Sequence, residues 1–270
     1  MLGRDVALVG TGAGHEVVSL SRGELDVTDA AAVTERVTAL APDAVLNCAA
    51  YTDVDGAEAD LRSAMEGNAE AARHLAEASA AVGAAVLYPS TDYVFDGAKR
   101  EPYVESDPTR PQTVYGQSKL AGEHETAEAN PRHVIARTSW LFGVGGGNFV
   151  ETMLRLAREH GEVTVVRDQV GCPTYTPHLA EALVALLAAE SYGVHHVAAR
   201  GECSWYEFAR EIFRQAPVEC RVESTTSGEF RRPAPRPAYS VLVSEREDAV
   251  LLPPWEHGLA DYLAERAAAA

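Results

Sequence analysis

The sequence predicts an α/β fold: a doubly wound parallel sheet followed by a smaller, interleaved C-terminal region. Three observations predict it. Strand-like apolar runs alternate with helical runs over residues 1–142. Those strand-like runs are nearly continuous in apolar residues, as in a sheet covered by helices on both faces. After Gly143 the alternation fades into helices separated by short strand-like pieces.

Each element has a local reason. MLGRDVALV (1–9) reads as a helix and GTGAG (10–14) as the turn into a strand, HEVVSLS (15–21). VGTGAG is not a phosphate loop, because its spacing is G-x-G-x-G and a strand, not a helix, follows it. Phosphate binding needs the amides and dipole of a helix N-terminus. Gly3 is then the last glycine of a nucleotide fingerprint. The first strand and most of its glycine loop are expected before Met1, through a misassigned start or a truncation. DAAAVTERVTAL (29–40) is an amphipathic helix with Asp29 placed to cap it. DAVLNCAA (43–50) is a buried strand, and the alanine-rich residues 60–82 form a long helix stopped by Gly83. AAVLYPSTDYVF (84–95) is a strand, SKLAGEHETAEA (118–129) a helix and HVIARTSWLF (133–142) a strand.

Beyond Gly143, NFVETMLRLAREHG (148–161), TPHLAEALVALLAAE (176–190) and SWYEFAREIFRQA (204–216) are helical, with strand-like EVTVV and GVHHVAA between them. RRPAPRPAYS (231–240) is too rich in Pro and Arg for either element, and the tail ERAAAA is expected to fray. The division follows: residues 1–142 form a dinucleotide-binding domain and residues 143–270 mainly a substrate region. The helix near 176–190 is expected to pack back on the first part.

Composition narrows the function. A chain of 270 residues, 46% hydrophobic, is long enough for a sizeable core. A formal charge of −17 argues against nucleic acid and anionic membranes as partners. It leaves open an anionic ligand held by backbone amides and a few arginines. The four cysteines are scattered, without metal-ligand spacing, so neither a metal site nor a disulfide framework is expected. No apolar run approaches the roughly 18 residues of a membrane span, and a cytoplasmic location is expected.

VYGQSKLAGEHE (114–125) places Tyr115 and Lys119 one helical turn apart. By itself that spacing equally suits a solvated helix face. The strand ending in Ser90-Thr91-Asp92-Tyr93 changes the balance, since its end and the start of the Tyr115 helix share one rim of the sheet. A phenol of reference pKa about 10 is a poor acid at neutral pH unless its anion is stabilised. A nearby ammonium lowers it, and a threonine hydroxyl hydrogen-bonds a carbonyl oxygen. Lys119 is therefore expected to tune Tyr115 and to hold a cofactor ribose. Asp26 in LDVTD is placed to meet an adenine. NCAAYTDVD ends a strand in small residues that admit a cofactor to the backbone. Arg22 stands where a ribose-binding acid is common, which favours NADPH over NADH, with NADH still possible. A plain surface arginine is the alternative.

These pieces resemble the extended short-chain dehydrogenase/reductases, which carry a Rossmann-type sheet, and more narrowly the dTDP-4-dehydrorhamnose reductase family. The similar stretches are NCAAYTDVDGAE, PSTDYVFDG, VYGQSKLAGE, RTSWLFG, NFVETMLRLA, DQVGCPTYT and RPAPRPAYSVL, in family order over nearly the whole chain. The resemblance implies NADPH-dependent reduction of the 4-keto group of a dTDP-deoxysugar. It implies Thr91, Tyr115 and Lys119 as catalytic residues, and Asp26, Val27, Ala49, Ala50 and Tyr51 around the cofactor. Tyr93, Trp140 and Asn148 fall where the family meets its sugar; Trp140 as core and Asn148 as a helix cap are the alternatives. Arg232 and Arg236 are read as serving the substrate diphosphate or contacts of a homodimer. The departure from the family is the N-terminus. Competing readings are a deoxysugar ketoreductase of another pathway, an epimerase or dehydratase on the same scaffold, and a non-catalytic subunit resembling that of methionine adenosyltransferase. The paired Asp-Glu of dehydratases is absent after Thr91.

Overall fold

Four parallel strands form the main sheet of the computed structural model, which describes residues 1–268. They are β1 (Ala44–Leu46), β2 (Ala85–Thr91), β3 (His133–Thr138) and, after four intervening strands, β8 (Gly193–His196), ordered β1-β2-β3-β8. Parallel strands need crossovers, and helices supply them. Helix α1 (Leu2–Gly12) and helix α8 (Thr176–Ala188) pack together, joined by a 2.6 Å hydrogen bond from the Thr176 hydroxyl to the buried Asp5 carboxylate. Leu179, Leu183 and Leu186 of α8 are buried against Leu87, Val134 and Ala136 of the sheet. Each such leucine contributes about 1.5–3 kcal/mol by leaving water.

On the other side lie α2 (Ala30–Leu40), the short α3 (Val54–Ala57) and α4 (Leu61–Met65), α5 (Ala71–Ala81) and α6 (Val114–Ala129). Asp29 caps α2 as expected, its carboxylate accepting from the amides of Ala31 and Ala32. The long helix expected over 60–82 is interrupted. Residues Glu66–Glu70 form a π-helical turn between α4 and α5. The turn swings Asn68 inward, where its side chain bonds both backbone groups of Tyr51 and the Ser118 hydroxyl of α6. Such single π-turns recur at functional sites.

The later chain builds its own core. Helices α7 (Phe149–His160), α9 (Trp205–Gln215) and α10 (Trp255–Ala268) surround β5 (Glu162–Val166) and its parallel partner β10 (Arg221–Thr225). Phe142, Phe208, Ile212, Leu259 and Tyr262 are buried there. Strands β4 (Leu141–Phe142) and β7 (Thr174–Tyr175) form one small pair, β6 (Val170–Gly171) and β9 (Cys203–Ser204) another.

Further expectations need correction. The runs 84–95 and 133–142, each expected as one strand, stop at Thr91 and Thr138, where the chain turns into a 3-10 segment and into the left-handed Trp140. Residues 15–21 carry strand chemistry but form no strand; Val17 and Val18 stand exposed and no ladder joins them. A strand exists only through a partner, and among the described residues β1, at the edge of the sheet, pairs with β2 alone. Helix α1 runs through Gly12, so the turn is shorter than GTGAG. The tail is helical as far as Ala268, while Ala269 and Ala270 lie outside the described residues. Among the described residues no helix is long and apolar enough to cross a membrane.

Candidate active site

Thr91 closes β2, and the chain turns at once into a 3-10 segment, Asp92–Val94. The Thr91 hydroxyl caps that turn by accepting from the Tyr93 amide at 3.2 Å and donates to the Asp92 carboxylate at 3.0 Å. Helix α6 starts beside it, with Thr113 as N-cap accepting from the Gly116 amide. Gly116 is required for the approach: a Cβ there would stand 2.3 Å from the Tyr93 carbonyl oxygen. This contact sets the Tyr115 ring edge-on to Tyr93, their centroids 5.6 Å apart. Thr91 and Tyr115 are thus brought together by two elements whose ends touch.

Burial pushes the Tyr115 phenol up to about 12; the Thr91 hydroxyl opposes that rise and the Asp92 carboxylate adds to it. Tyr115 is therefore a loaded proton donor at neutral pH. Lys119 is buried and donates to the Pro89 carbonyl at 2.7 Å, with its Nζ 3.8 Å above the Tyr88 ring. Burial lowers its pKa to about 7, against the opposing fields of Glu123 and Cys48. The hydrogen-bond partner of the Lys119 ammonium is the Pro89 carbonyl at the strand end, one helical turn from the Tyr115 phenol. Asp92 is also buried, its Oδ2 unpartnered among the described residues, and burial raises its pKa to about 6.

Some of the cofactor candidates, Ala49, Ala50 and Tyr51, follow the carboxyl end of β1. Gly3 of α1 packs on Cys48, where an added Cβ would meet the cysteine Cβ at 3.3 Å. Ala49 and Ala50 are exposed and small, and Tyr51 is held in place by Asn68. The neighbouring Asn47 is buried with its Nδ2 unpartnered, a donor at the mouth of the sheet. Arg22 is exposed, in a turn. The Asp26 carboxylate accepts from the amide and hydroxyl of Thr28, and the Val27 carbonyl meets His74 Nδ1 at 3.3 Å.

For the residues expected to meet the sugar, the structure is more specific than the motifs. Trp140 follows β3, whose Thr138 is in register with Thr91. It has φ 49°, a left-handed conformation that costs a bulky residue about 1–3 kcal/mol. Its indole stacks on Trp205 at 3.5 Å between centroids, and Gly171 leaves the ring room. Asn148 caps α7, accepting from the Glu151 amide and donating to the carbonyls of Gly143 and Gly146. Arg232 and Arg236 both reach the Asp55 carboxylate, at 3.3 and 3.0 Å, and Asp55 also accepts from the Ala234 amide.

The family model described as the RmlD substrate binding domain matches residues 1–268. A dTDP-4-dehydrorhamnose reductase of Streptomyces griseus is 46% identical over 264 residues, 95% of this chain and 87% of that protein. The chain belongs to the dTDP-4-dehydrorhamnose reductase family.

Other members share both sequence and shape. The crystal structure of the Bacillus anthracis dTDP-4-dehydrorhamnose reductase in complex with NADP is 38% identical, covers 98% of this chain and 95% of its own, and superposes with a TM-score of 0.95. A probable dTDP-4,6-dihydroxy-2-methyloxan-3-one 4-ketoreductase of Streptomyces antibioticus is 42% identical over 249 residues, 91% of this chain and 84% of that protein. Sequence reasoning about this family member missed Asn68, Asp55 and Glu123. Asn68 lay in a stretch read as plain helix. Asp55 and Glu123 lay inside the quoted motifs, and Glu123, one turn after Lys119, carried a usable signal: a carboxylate on an otherwise buried helix face.

Proposed function

We propose that this chain reduces the 4-keto group of dTDP-4-dehydro-L-rhamnose to give dTDP-L-rhamnose, with NADPH as reductant. The observation that carries the reading is the meeting of Thr91, Tyr115 and Lys119 where β2 ends and α6 begins. NADPH, when bound, supplies the hydride. Its fit rests on the unpartnered Asn47 amide and the exposed small residues Ala49 and Ala50 at the open end of β1, and the reading adds the exposed Arg22 for the 2′-phosphate. Tyr115 gives its phenolic proton to the carbonyl oxygen, so ketone, hydride and proton sum to the alcohol. The Thr91 hydroxyl orients that oxygen, and Lys119, cationic at and below about neutral pH, holds the ribose and stabilises the tyrosinate left behind. Gly3, Asp26, Val27 and Tyr51 complete the cofactor side of this reading. Tyr93 and Trp140 border the sugar, and Asn148 fixes the loop behind it. Arg232 and Arg236 take the diphosphate or a second copy of the chain. Substrate and cofactor are both membrane-impermeant polyanions, consistent with action in the cytoplasm.

The test is product formation. Incubation with NADPH and dTDP-4-dehydro-L-rhamnose should yield dTDP-L-rhamnose, one NADPH oxidised per sugar reduced. An epimerase would return its cofactor unchanged, and no turnover by a folded chain would favour the non-catalytic reading. The Streptomyces antibioticus relative supports one alternative, a ketoreductase of another deoxysugar, which faster turnover of a different 4-keto dTDP-sugar would establish.

Arg22 gives a test of cofactor choice. Arg22→Ala should weaken NADPH more than NADH in equilibrium titration, because only NADPH carries the 2′-phosphate. Equal losses would make Arg22 an ordinary surface residue.

A further inference from the structure

We propose that Glu123 is a positioning residue of the active site, tying the helix that carries Tyr115 and Lys119 to the strand end that carries Thr91 and serving as the anion that faces Lys119. The proposal rests on the catalytic roles just assigned, and its test separates the two.

Glu123 follows Lys119 by one helical turn and Tyr115 by two, so the three side chains share one face of α6. It is 2% exposed, and both its oxygens are used. Ser90 donates to Oε1 at 2.5 Å; Arg137 donates from Nε to Oε1 at 2.9 Å and from Nη2 to Oε2 at 2.7 Å. Ser90 sits between Pro89, whose carbonyl receives Lys119, and Thr91, whose hydroxyl serves the site. Arg137 is the register partner of Ser90 on β3. One carboxylate therefore joins α6, β2 and β3 at the level of the reacting groups.

The charges matter as much as the bonds. The groups facing Lys119 are Tyr115 and Glu123 on its own helix, Tyr88 on β2, Cys48 after β1 and, through Glu123, Arg137 on β3. Glu123 is foremost among those that favour the ammonium, with Cys48 second. Arg137 claims both carboxylate oxygens, so Lys119 receives the field of Glu123 without a hydrogen bond from it. That arrangement leaves the lysine poised near neutrality rather than fully charged.

The chain has two lysines, Lys99 and Lys119. A lysine-selective NMR titration of the intact protein therefore reads Lys119 directly, with Lys99, paired to Asp107, as internal reference. In Glu123→Gln the Lys119 midpoint should fall by about one pH unit or more, since a nearby opposite charge is removed. The alkaline limb of the kcat profile at saturating NADPH should move down with it, and kcat should fall by about 10²-fold through misplacement of Thr91. Ser90→Ala keeps both charges and removes only the strand bond. It should lower kcat by about tenfold or more while leaving the Lys119 midpoint at its wild-type position. An unmoved midpoint in Glu123→Gln overturns the electrostatic role, and wild-type kcat in Ser90→Ala overturns the positioning role even where Glu123→Gln fails to fold. A shifted midpoint in a chain that turns over no 4-keto sugar supports the Glu123–Lys119 coupling and sinks the proposed reaction instead.

Discussion

Tyr115→Phe is expected to lower kcat for ketone reduction by about 10²–10⁴-fold, the usual loss when a positioned proton donor is removed. The phenol is held protonated by burial, with a pKa pushed up to about 12, so the wild-type residue carries its proton at neutral pH. Phenylalanine keeps the ring and its edge-on contact with Tyr93, 5.6 Å between centroids, and loses only the hydroxyl. NADPH affinity should therefore remain near wild type while kcat collapses. Steady-state kinetics beside a fluorescence titration of NADPH measures both. Turnover within a few-fold of wild type would remove Tyr115 from the chemistry.

The second large effect is on stability. Arg137→Met should destabilise the chain by about 3–5 kcal/mol, because it strands a buried Glu123 that loses its cationic hydrogen-bond partner. The methionine fills much of the space and keeps the contact with Phe95, now without the cation held 5.2 Å from its ring centroid. What changes is mainly the charge. Removing both partners, as in Arg137→Met with Glu123→Gln, should recover most of the loss, since an apolar or neutral pair of similar volume is often no worse than a buried ion pair. Urea titration of the three proteins decides it. Equal midpoints for wild type and Arg137→Met would show that water already reaches Glu123.

Much of this was legible in the sequence because it is local. Asp29 caps its helix, and Tyr115 and Lys119 fall on one helical face at the end of a buried strand, as their spacing requires. What was not legible depends on partners distant in the chain. Residues 15–21 have the composition of a strand but form none, since a ladder is a property of two segments. The ammonium of Lys119 donates to the Pro89 carbonyl, thirty residues away. The Asn68 hub needs a π-turn that no composition announces, and the Asp55 clasp on Arg232 and Arg236 joins residues far apart in sequence. The left-handed backbone of Trp140 is likewise invisible until Trp205 and Gly171 are seen around it.

The unpaired side of β1 has a consequence for how the protein behaves in quantity. An edge strand presents a row of amides and carbonyls able to dock another chain's extended segment. Residues 15–19 offer a candidate segment, exposed and outside every ladder, with Val17 and Val18 at 38% and 51% exposure and Leu8 nearby in sequence at 64%. Edge and segment belong to the same molecule, so each copy carries both halves of an intermolecular β-ladder. Self-association should therefore grow with concentration and be suppressed by a lysine at Val18, a charge that such a ladder would have to bury.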